Sequence, residues 1–111
     1  MSKSKRTVII NVETTGLSTK TGCRVIEIAC VEVVKGTLTQ HRFNSLIHPC
    51  GRKITNEAYK RHGLQDTDLA EAPKFQDIAQ QLINFCEGAK VVTYNADFDI
   101  DLLAYECKKQ L

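Results

Sequence analysis

The segment Asn11-Val12-Glu13-Thr14-Thr15-Gly16-Leu17 overlaps the end of a short β-branched and apolar run, residues 7–12, near the start of the chain. A short run of this character predicts a buried strand, and Thr14-Thr15-Gly16 predicts the turn that ends it. Because side chains alternate between the two faces of a strand, Asn11 and Glu13 are expected on the same face. The sequence therefore predicts two polar side chains together at the end of a buried strand.

Two further runs of apolar and β-branched residues, 24–34 and 37–47, have the same character. Lys35-Gly36 separates them, and glycine supplies the positive φ that a two-residue hairpin turn needs. We therefore expect the first three strands to form an antiparallel meander.

The middle of the chain has helical spacing. Residues 55–62 predict a short helix with Thr55 as N-cap and Gly63 at its end, and residues 66–70 predict a further helical turn. Pro73, a residue that favours the first turn of a helix, is expected to begin an amphipathic helix. Its apolar side chains recur at spacings of three and four, which traces one helical face: Phe75, Ile78, Ala79, Leu82, Ile83 and Cys86.

After Gly88, which ends this helix, residues 90–94 predict a fourth strand and Asn95 is expected to cap a last helix. The right-handed crossover rule allows the fourth strand to lie parallel to the first and beside it. The prediction is an α/β fold with a mixed sheet, three antiparallel strands plus a parallel fourth, and flanking helices. At this length residues 1–111 are expected to form a single domain.

Composition narrows the class of protein. The net charge of +2 does not by itself indicate a nucleic-acid partner, and no apolar run is long enough to span a membrane. The polar start lacks the apolar segment of a secretory signal. The cysteine count is odd and lacks C-x-x-C spacing, which argues against disulfides and zinc. We expect a cytoplasmic protein with reduced thiols.

The basic residues of the chain form clusters that would suit phosphate contacts: Lys3/Lys5/Arg6, Arg52/Lys53, Lys60/Arg61 and Lys108/Lys109.

A second polar cluster, Tyr94-Asn95-Ala96-Asp97-Phe98-Asp99, follows the predicted fourth strand. If strands one and four are parallel neighbours, their C-terminal ends meet, and Glu13 and Asp99 converge where open α/β sheets bind ligands. Clustered carboxylates suit Mg²⁺ or Mn²⁺, which prefer oxygen ligands. Two such ions can activate a water molecule and stabilise the leaving oxygen of a phosphodiester.

Both clusters resemble known motifs. The sequence N-V-E-T-T-G-L is similar to D-x-E-T-T-G-L, the first motif of the DnaQ-like (DEDD-type) 3′–5′ exonucleases, and Y-N-A-D-F-D is similar to their second motif, H-N-A-x-F-D. Residues 25–32 also resemble the family's second strand, and His62-Gly63-Leu64 its linking segment. The resemblance extends over nearly the whole chain in the same order, and is strongest to the proofreading (epsilon) subunits of bacterial DNA polymerase III.

The resemblance implies an RNase H-like sheet, two Mg²⁺ or Mn²⁺ ions, and removal of nucleotides from 3′ ends of single-stranded DNA, with RNA as a further possibility. It implies that Glu13 and Asp99 are metal ligands and catalytic residues. Thr14, Thr15 and Leu17 match positions that hold the terminal nucleotide, and His62 falls on the segment that borders it. A DNA polymerase catalytic subunit is the partner that the resemblance implies.

This sequence departs from the family at three positions of interest. Asn11 stands at the catalytic position of the first aspartate, so it is expected to be only a weak metal ligand because it has no charge. Tyr94 replaces the histidine of the second motif, a milder change. The third motif, H-x-A-x-x-D, which supplies a general base and a fourth carboxylate, has no counterpart after Asp99. We therefore expect impaired or absent hydrolysis in this chain, and a fold that lacks the C-terminal part of the family's.

Several alternatives stay open at this point. The chain is either a fragment of a longer reading frame or a shortened relative, and Asn11 is either natural or engineered. A non-catalytic module that binds nucleic-acid ends or associates with a polymerase is the alternative to an exonuclease. An incompletely covered sheet also predicts self-association.

Overall fold

The computed structural model describes residues 6–16 and 24–93. Within them the chain forms β1 (Arg6–Thr14), β2 (Val25–Val34), β3 (Thr37–Leu46), α1 (Asn56–His62), α2 (Asp66–Leu69), α3 (Phe75–Cys86) and β4 (Lys90–Thr93). The sheet order is β3-β2-β1-β4. β2 is antiparallel to both β1 and β3, and β4 is parallel to β1. The mixed sheet expected from the sequence is confirmed, and the expected last helix, with its cap Asn95, lies outside the described residues.

The core lies between one face of the sheet and α3. Val8 and Ile10 of β1 and Ile28 and Cys30 of β2 pack with the buried face of α3, which consists of Phe75, Ile78, Ala79 and Leu82. Burial of these apolar side chains is the main force that holds the layers together. The opposite face of β1, which begins with Ile9, is more open: Ile9 is 40% exposed.

Two details of α3 correct the sequence prediction. The helix begins at Phe75 and not at Pro73, because the Asp77 carboxylate accepts a hydrogen bond from the backbone N–H of Lys74 at 3.0 Å and so defines the N-terminus. Ile83 was expected on the core face but is 43% exposed. A residue directly after Leu82 is rotated by about 100° around the helix, which takes Ile83 beyond the edge of the buried stripe.

Both local turn predictions are confirmed. The β2–β3 hairpin turns at Lys35 and Gly36, which have φ of 52° and 80°. Helix α1 begins after Thr55, whose hydroxyl accepts a hydrogen bond from the Ala58 N–H at 3.1 Å. It ends at Gly63, where φ is 72° and the N–H donates to the Tyr59 carbonyl at 2.7 Å. A left-handed glycine is a common way to end a helix because it has no Cβ to strain.

β2 contains a bulge opposite the end of β1. The register shifts between Glu13, which pairs with Glu27, and Thr14, which pairs with Val25, so that Ile26 is an extra residue. Its carbonyl instead accepts a hydrogen bond from the N–H of Ile47 at 2.8 Å. The bulge explains why Val25 and Ile26, although consecutive, are both fully buried.

Arg6 ties β1 to β2 and to the end of α3. Its guanidinium donates to the Glu32 carboxylate, to the Glu87 carbonyl at 3.1 Å and to the Phe85 carbonyl. The last carbonyls of a helix lack partners within the helix and favour a nearby cation, so Arg6 stabilises the C-terminus of α3. The Arg6 hydrogen bond, with help from the Thr39 hydroxyl, lowers the pKa of Glu32.

Three of the cysteines lie in the described residues and have free thiols: Cys30 is buried, Cys86 half-buried and Cys50 exposed. Cys23 and Cys107 lie outside the described residues. Across residues 6–16 and 24–93, none of the helices has the length and apolar character that a membrane crossing requires.

Candidate functional site

The site predicted from the first motif lies at the C-terminal end of β1, on the sheet face that points away from α3. Val8 and Ile10 point into the core, so the alternation of the strand turns Asn11 and Glu13 to the other face. Asn11 is exposed and Glu13 is half-buried. The prediction that these two residues share a face is confirmed by this burial pattern.

Glu27 of β2 is a third polar residue at this place. It pairs directly with Glu13 across the antiparallel strands, and the same register pairs Asn11 with Ala29. Residues that pair in this way have side chains on the same face, about 5 Å apart at their Cβ atoms. Two acidic residues therefore pair across the strands, and among the described residues neither has a salt bridge, an arrangement that favours a bound cation.

Glu27 was not predicted as a site residue, although its place in an alternating strand is evident from the sequence. Its position opposite Glu13 depends on the register between β1 and β2. That register is set by the bulge at Ile26 and by residues that lie far apart in the chain. No short turn connects β1 to β2 and reveals the pairing in advance.

The turn after β1 is buried and internally hydrogen-bonded. The N–H of Thr15 donates to the carbonyl of Arg24, and the N–H of Arg24 donates in return to the Thr15 hydroxyl, both at 2.9 Å. The Thr14 hydroxyl donates to the carbonyl of Gly16. Thr14 and Thr15 are only 6% and 1% exposed. Their hydroxyls thus shape the turn, and direct contact of either residue with a nucleotide stays a prediction.

Helix α1 lies against this turn at both of its ends. The N–H of Thr55 donates to the Thr15 carbonyl at 2.8 Å. At the other end, His62 Nδ1 accepts a hydrogen bond from the Leu64 N–H at 3.0 Å, so a neutral ring carries its proton on Nε2 and donates to the Thr14 carbonyl at 2.9 Å. His62 therefore holds the turn, and its predicted contact with the terminal nucleotide stays untested.

The second motif cannot be placed in the same way. β4 pairs with β1 from Thr7–Lys90 to Ile10–Thr93, in the parallel sense that the sequence predicts. Leu17, Tyr94 and Asp99 lie outside the described residues. The convergence of Asp99 with Glu13 consequently remains a prediction from topology, and its basis is the confirmed parallel pairing of the two strands.

The described residues fit a divalent cation only in part. Among residues 6–16 and 24–93, no three His, Cys, Asp or Glu side chains form a group that could hold a metal ion. Glu13 and Glu27 supply carboxylate oxygens, and Asn11 supplies a carboxamide oxygen on the same face. These hard ligands have the right chemistry for Mg²⁺ or Mn²⁺. The expected ligand Asp99 would be needed to extend the set.

Comparison with known proteins shows the family of the chain. The exonuclease family RNase_T matches residues 8–111. The DNA polymerase III subunit epsilon of Pasteurella multocida (strain Pm70) is 37% identical over 108 residues, which are 94% of this chain and 42% of that protein. The same subunit of Rickettsia conorii (strain ATCC VR-613 / Malish 7) is 38% identical over 103 residues, covering 93% of this chain and 44% of that protein. The chain thus spans less than half the length of these relatives.

Solved structures support the fold. Cell-death related nuclease 4 (CRN-4) superimposes with a TM-score of 0.77 at 19% identity, over 96% of this chain and 40% of that chain. A full-length 3′-exonuclease superimposes with a TM-score of 0.75 at 17% identity, over 96% of this chain and 53% of that chain. At such identities the similarity shows the fold alone, which is the expected RNase H-like arrangement. Together with the family match, it shows that the chain belongs to the RNase_T exonucleases, of the DnaQ-like epsilon type.

Proposed function

We propose that this chain binds 3′ ends of single-stranded nucleic acid in the manner of a 3′–5′ exonuclease of the proofreading type, and hydrolyses them slowly. The observation that carries this proposal is the position of Glu13. It lies at the end of β1 on the open face, beside a turn that α1 holds through Thr14 and Thr15. A rigid turn beside a carboxylate offers a fixed place for the end of a strand.

The cofactor that suits this site is Mg²⁺ or Mn²⁺. Glu13 and Asp99 would hold it, with Asn11 as a neutral and weaker ligand and Glu27 nearby. When bound, such ions activate water and stabilise the leaving oxygen of a phosphodiester. Asn11 is the reason to propose slow hydrolysis, because an amide oxygen lacks the charge that offsets the repulsion between two close dications.

The non-catalytic alternative rests on the same residue. If Asn11 prevents productive metal binding, the chain would bind nucleic-acid ends without cutting them. The names of the curated relatives also make a polymerase catalytic subunit, which would use a surface separate from the site, a candidate partner. Self-association through the open face of the sheet remains a further candidate, which sedimentation would test.

The decisive experiment uses a single-stranded DNA labelled at its 3′ end, with Mn²⁺, and compares the full chain with Glu13→Ala and Asn11→Asp. We expect slow release of mononucleotides by the unaltered chain, none by Glu13→Ala, and release at least about tenfold faster by Asn11→Asp, since a charged ligand is restored. Binding without release by all three proteins would support the non-catalytic alternative and overturn slow hydrolysis.

RNA belongs in the same assay. One structural neighbour is a 3′-exonuclease with 3′-end specific recognition of a histone mRNA stem-loop. A single-stranded RNA of the same base sequence, measured in parallel, gives the ratio of the hydrolysis rates on RNA and on DNA. Equal rates would indicate that this chain does not contact the 2′-hydroxyl, the group that distinguishes RNA from DNA.

A further inference from the structure

The segment that includes α1 is strongly basic. Residues 52–61 contain four basic side chains and a single acidic one, Glu57, so this short segment alone exceeds the net charge of +2 of the whole chain. We call its four cations the basic ridge: Arg52, Lys53, Lys60 and Arg61. The first two precede the N-cap of α1, and the other two lie in its last turn.

All four side chains of the basic ridge are exposed. Within residues 6–16 and 24–93 they make no ion pair or side-chain hydrogen bond. Two arginines in the strands, Arg6 of β1 and Arg42 of β3, behave differently. Arg6 is engaged with Glu32 and two carbonyls, and Arg42 donates to the carbonyls of Thr39 and His41. In the part of the chain that the structure describes, the charge of the basic ridge thus has no partner.

The basic ridge flanks a helix that is hydrogen-bonded to the turn of the proposed site. Thr55 bonds to Thr15 and His62 to Thr14, so the backbone of α1 is fixed to the turn after Glu13. Lys53 is two residues from Thr55, and Arg61 is next to His62. Consecutive Cα atoms are about 3.8 Å apart, so both cations start within about 8 Å of a residue that contacts the turn.

A groove beside the basic ridge is lined in part by the same cations. It has a volume of about 240 Å³ between the turn after β3 and α2, and His48, Arg52 and Lys53 line it together with a single carboxylate, Asp66. His48 Nδ1 accepts a hydrogen bond from the Cys50 N–H at 2.9 Å, so a neutral His48 carries its proton on Nε2. Two residues of the ridge, Arg52 and Lys53, thus border this groove together with His48.

We propose that the basic ridge contacts successive phosphates of a single strand whose 3′ end lies at the Glu13 site. This inference rests on the proposed function, and it names the surface that holds the strand outside the site. The partner is inferred from charge complementarity: four exposed cations without a partner among the described residues, at the two ends of a helix beside a site for a strand end, suit a polyanion. The contacts are to phosphates, so they do not depend on base sequence.

The test measures salt dependence. Fluorescence anisotropy of a labelled 12-nucleotide single-stranded DNA, with Ca²⁺ in place of Mg²⁺, gives the affinity of the full chain across a range of salt concentrations. Arg52→Ala/Lys53→Ala and Lys60→Ala/Arg61→Ala are each expected to weaken binding roughly tenfold at low salt. Each pair should lower the slope of log affinity against log salt by about 1.4, because one phosphate contact on a single strand contributes about 0.7.

The matched control is Lys35→Ala/Lys90→Ala, which removes two exposed lysines at the opposite end of the sheet. Lys35 follows Val34, which pairs with Arg6, and Lys90 pairs with Thr7. Both are therefore about 25 Å along β1 from Thr14, given a rise of about 3.3 Å per residue. The control should retain nearly the full slope. Circular dichroism of all the variants checks that the exposed substitutions leave the fold intact.

The outcomes separate the two proposals. If the unaltered chain binds the DNA but both double variants of the basic ridge behave like the control, the proposal for the basic ridge is wrong and the proposed function stands. If the unaltered chain does not bind even at low salt, both are overturned. A loss on one base sequence but not on another would also contradict the ridge, since phosphate contacts weaken binding uniformly.

Discussion

His62 and Thr14 are joined by a hydrogen bond of 2.9 Å from the imidazole Nε2 to the backbone carbonyl, and this bond connects the end of α1 to the turn beside Glu13. The other ring nitrogen is also engaged, because Nδ1 accepts from the Leu64 N–H at 3.0 Å. The ring thus acts through the backbone of the turn. Its effect on a bound strand would be indirect, through the position of Thr14.

Two substitutions of His62 separate its two hydrogen bonds. His62→Gln places an amide N–H near the position of Nε2, so it should keep the bond to Thr14 and lose the one to Leu64. His62→Asn should do the opposite. We expect each to lower the free energy of unfolding by about 1 kcal/mol, whereas only His62→Asn should weaken binding of the DNA. Urea unfolding and anisotropy measure the two effects. Equal loss of affinity in both variants would contradict the role of the Thr14 bond.

The pair Arg6–Glu32 predicts how stability depends on pH. The Arg6 hydrogen bond, then the one from Thr39, lowers the folded-state pKa of Glu32 below its ordinary value of 4.5. A carboxyl with a depressed folded pKa stabilises the fold fully above its unfolded pKa, and this contribution disappears as pH falls through the folded pKa. Glu32→Gln should therefore be less stable than the unaltered chain at pH 6, and the difference should shrink below pH 4.5. Urea unfolding at several pH values measures it, and a difference that grows in acid would contradict the assignment.

Thr93 and Thr39 predict opposite effects of the same substitution. Among the residues that the structure describes, the buried Thr93 hydroxyl has no hydrogen-bond partner, whereas the Thr39 hydroxyl donates to Glu32 at 2.8 Å. Thr93→Val should raise the free energy of unfolding by about 1 kcal/mol, because it removes an unsatisfied polar group and keeps the shape. Thr39→Val should lower it by a similar amount, about 1 kcal/mol. If both substitutions lower the free energy of unfolding, the Thr93 hydroxyl stabilises the fold.

The pairing of Glu13 with Glu27 predicts that replacing Glu27 raises the stability of the chain and weakens its binding of a cation. Like charges directly opposite each other on neighbouring strands destabilise a sheet by roughly 0.2–1 kcal/mol. In EDTA, Glu27→Gln should therefore stabilise the chain by an amount in that range, roughly 0.2–1 kcal/mol, and in Mn²⁺ it should weaken binding of the ion. Calorimetric titration with Mn²⁺ measures the second effect. Glu71→Gln, which removes an exposed carboxylate outside the strands, is the control and should change neither quantity.

The features that the sequence predicts well are local. Thr55 and Gly63 bound a helix by interactions within a few residues, and Lys35-Gly36 closes its hairpin in the same way. The pairing of Glu13 with Glu27 was not predictable, because it depends on a bulge and on contacts between distant strands. Ile83 was misplaced for a simpler reason: spacing alone does not define the width of the buried stripe of a helix. The candidate site was therefore predicted from its motif residues, and the strand register added Glu27 to it.

The contacts of Arg6 have a consequence for the order of folding. Its carbonyl partners lie 79 and 81 residues further along the chain. The pairings of the meander β1, β2 and β3 join residues that are at most 28 positions apart, as in Arg6 with Val34, whereas the Arg6 contacts with Phe85 and Glu87 close a loop about three times as long, and distant contacts form late. We expect the meander to form first, both in refolding and as the chain emerges during synthesis. The edge of β1 beside β4, next to Asn11 and Glu13, would then be the last of the described strand pairings to form, so nascent chains would acquire the proposed site only after β4 has paired.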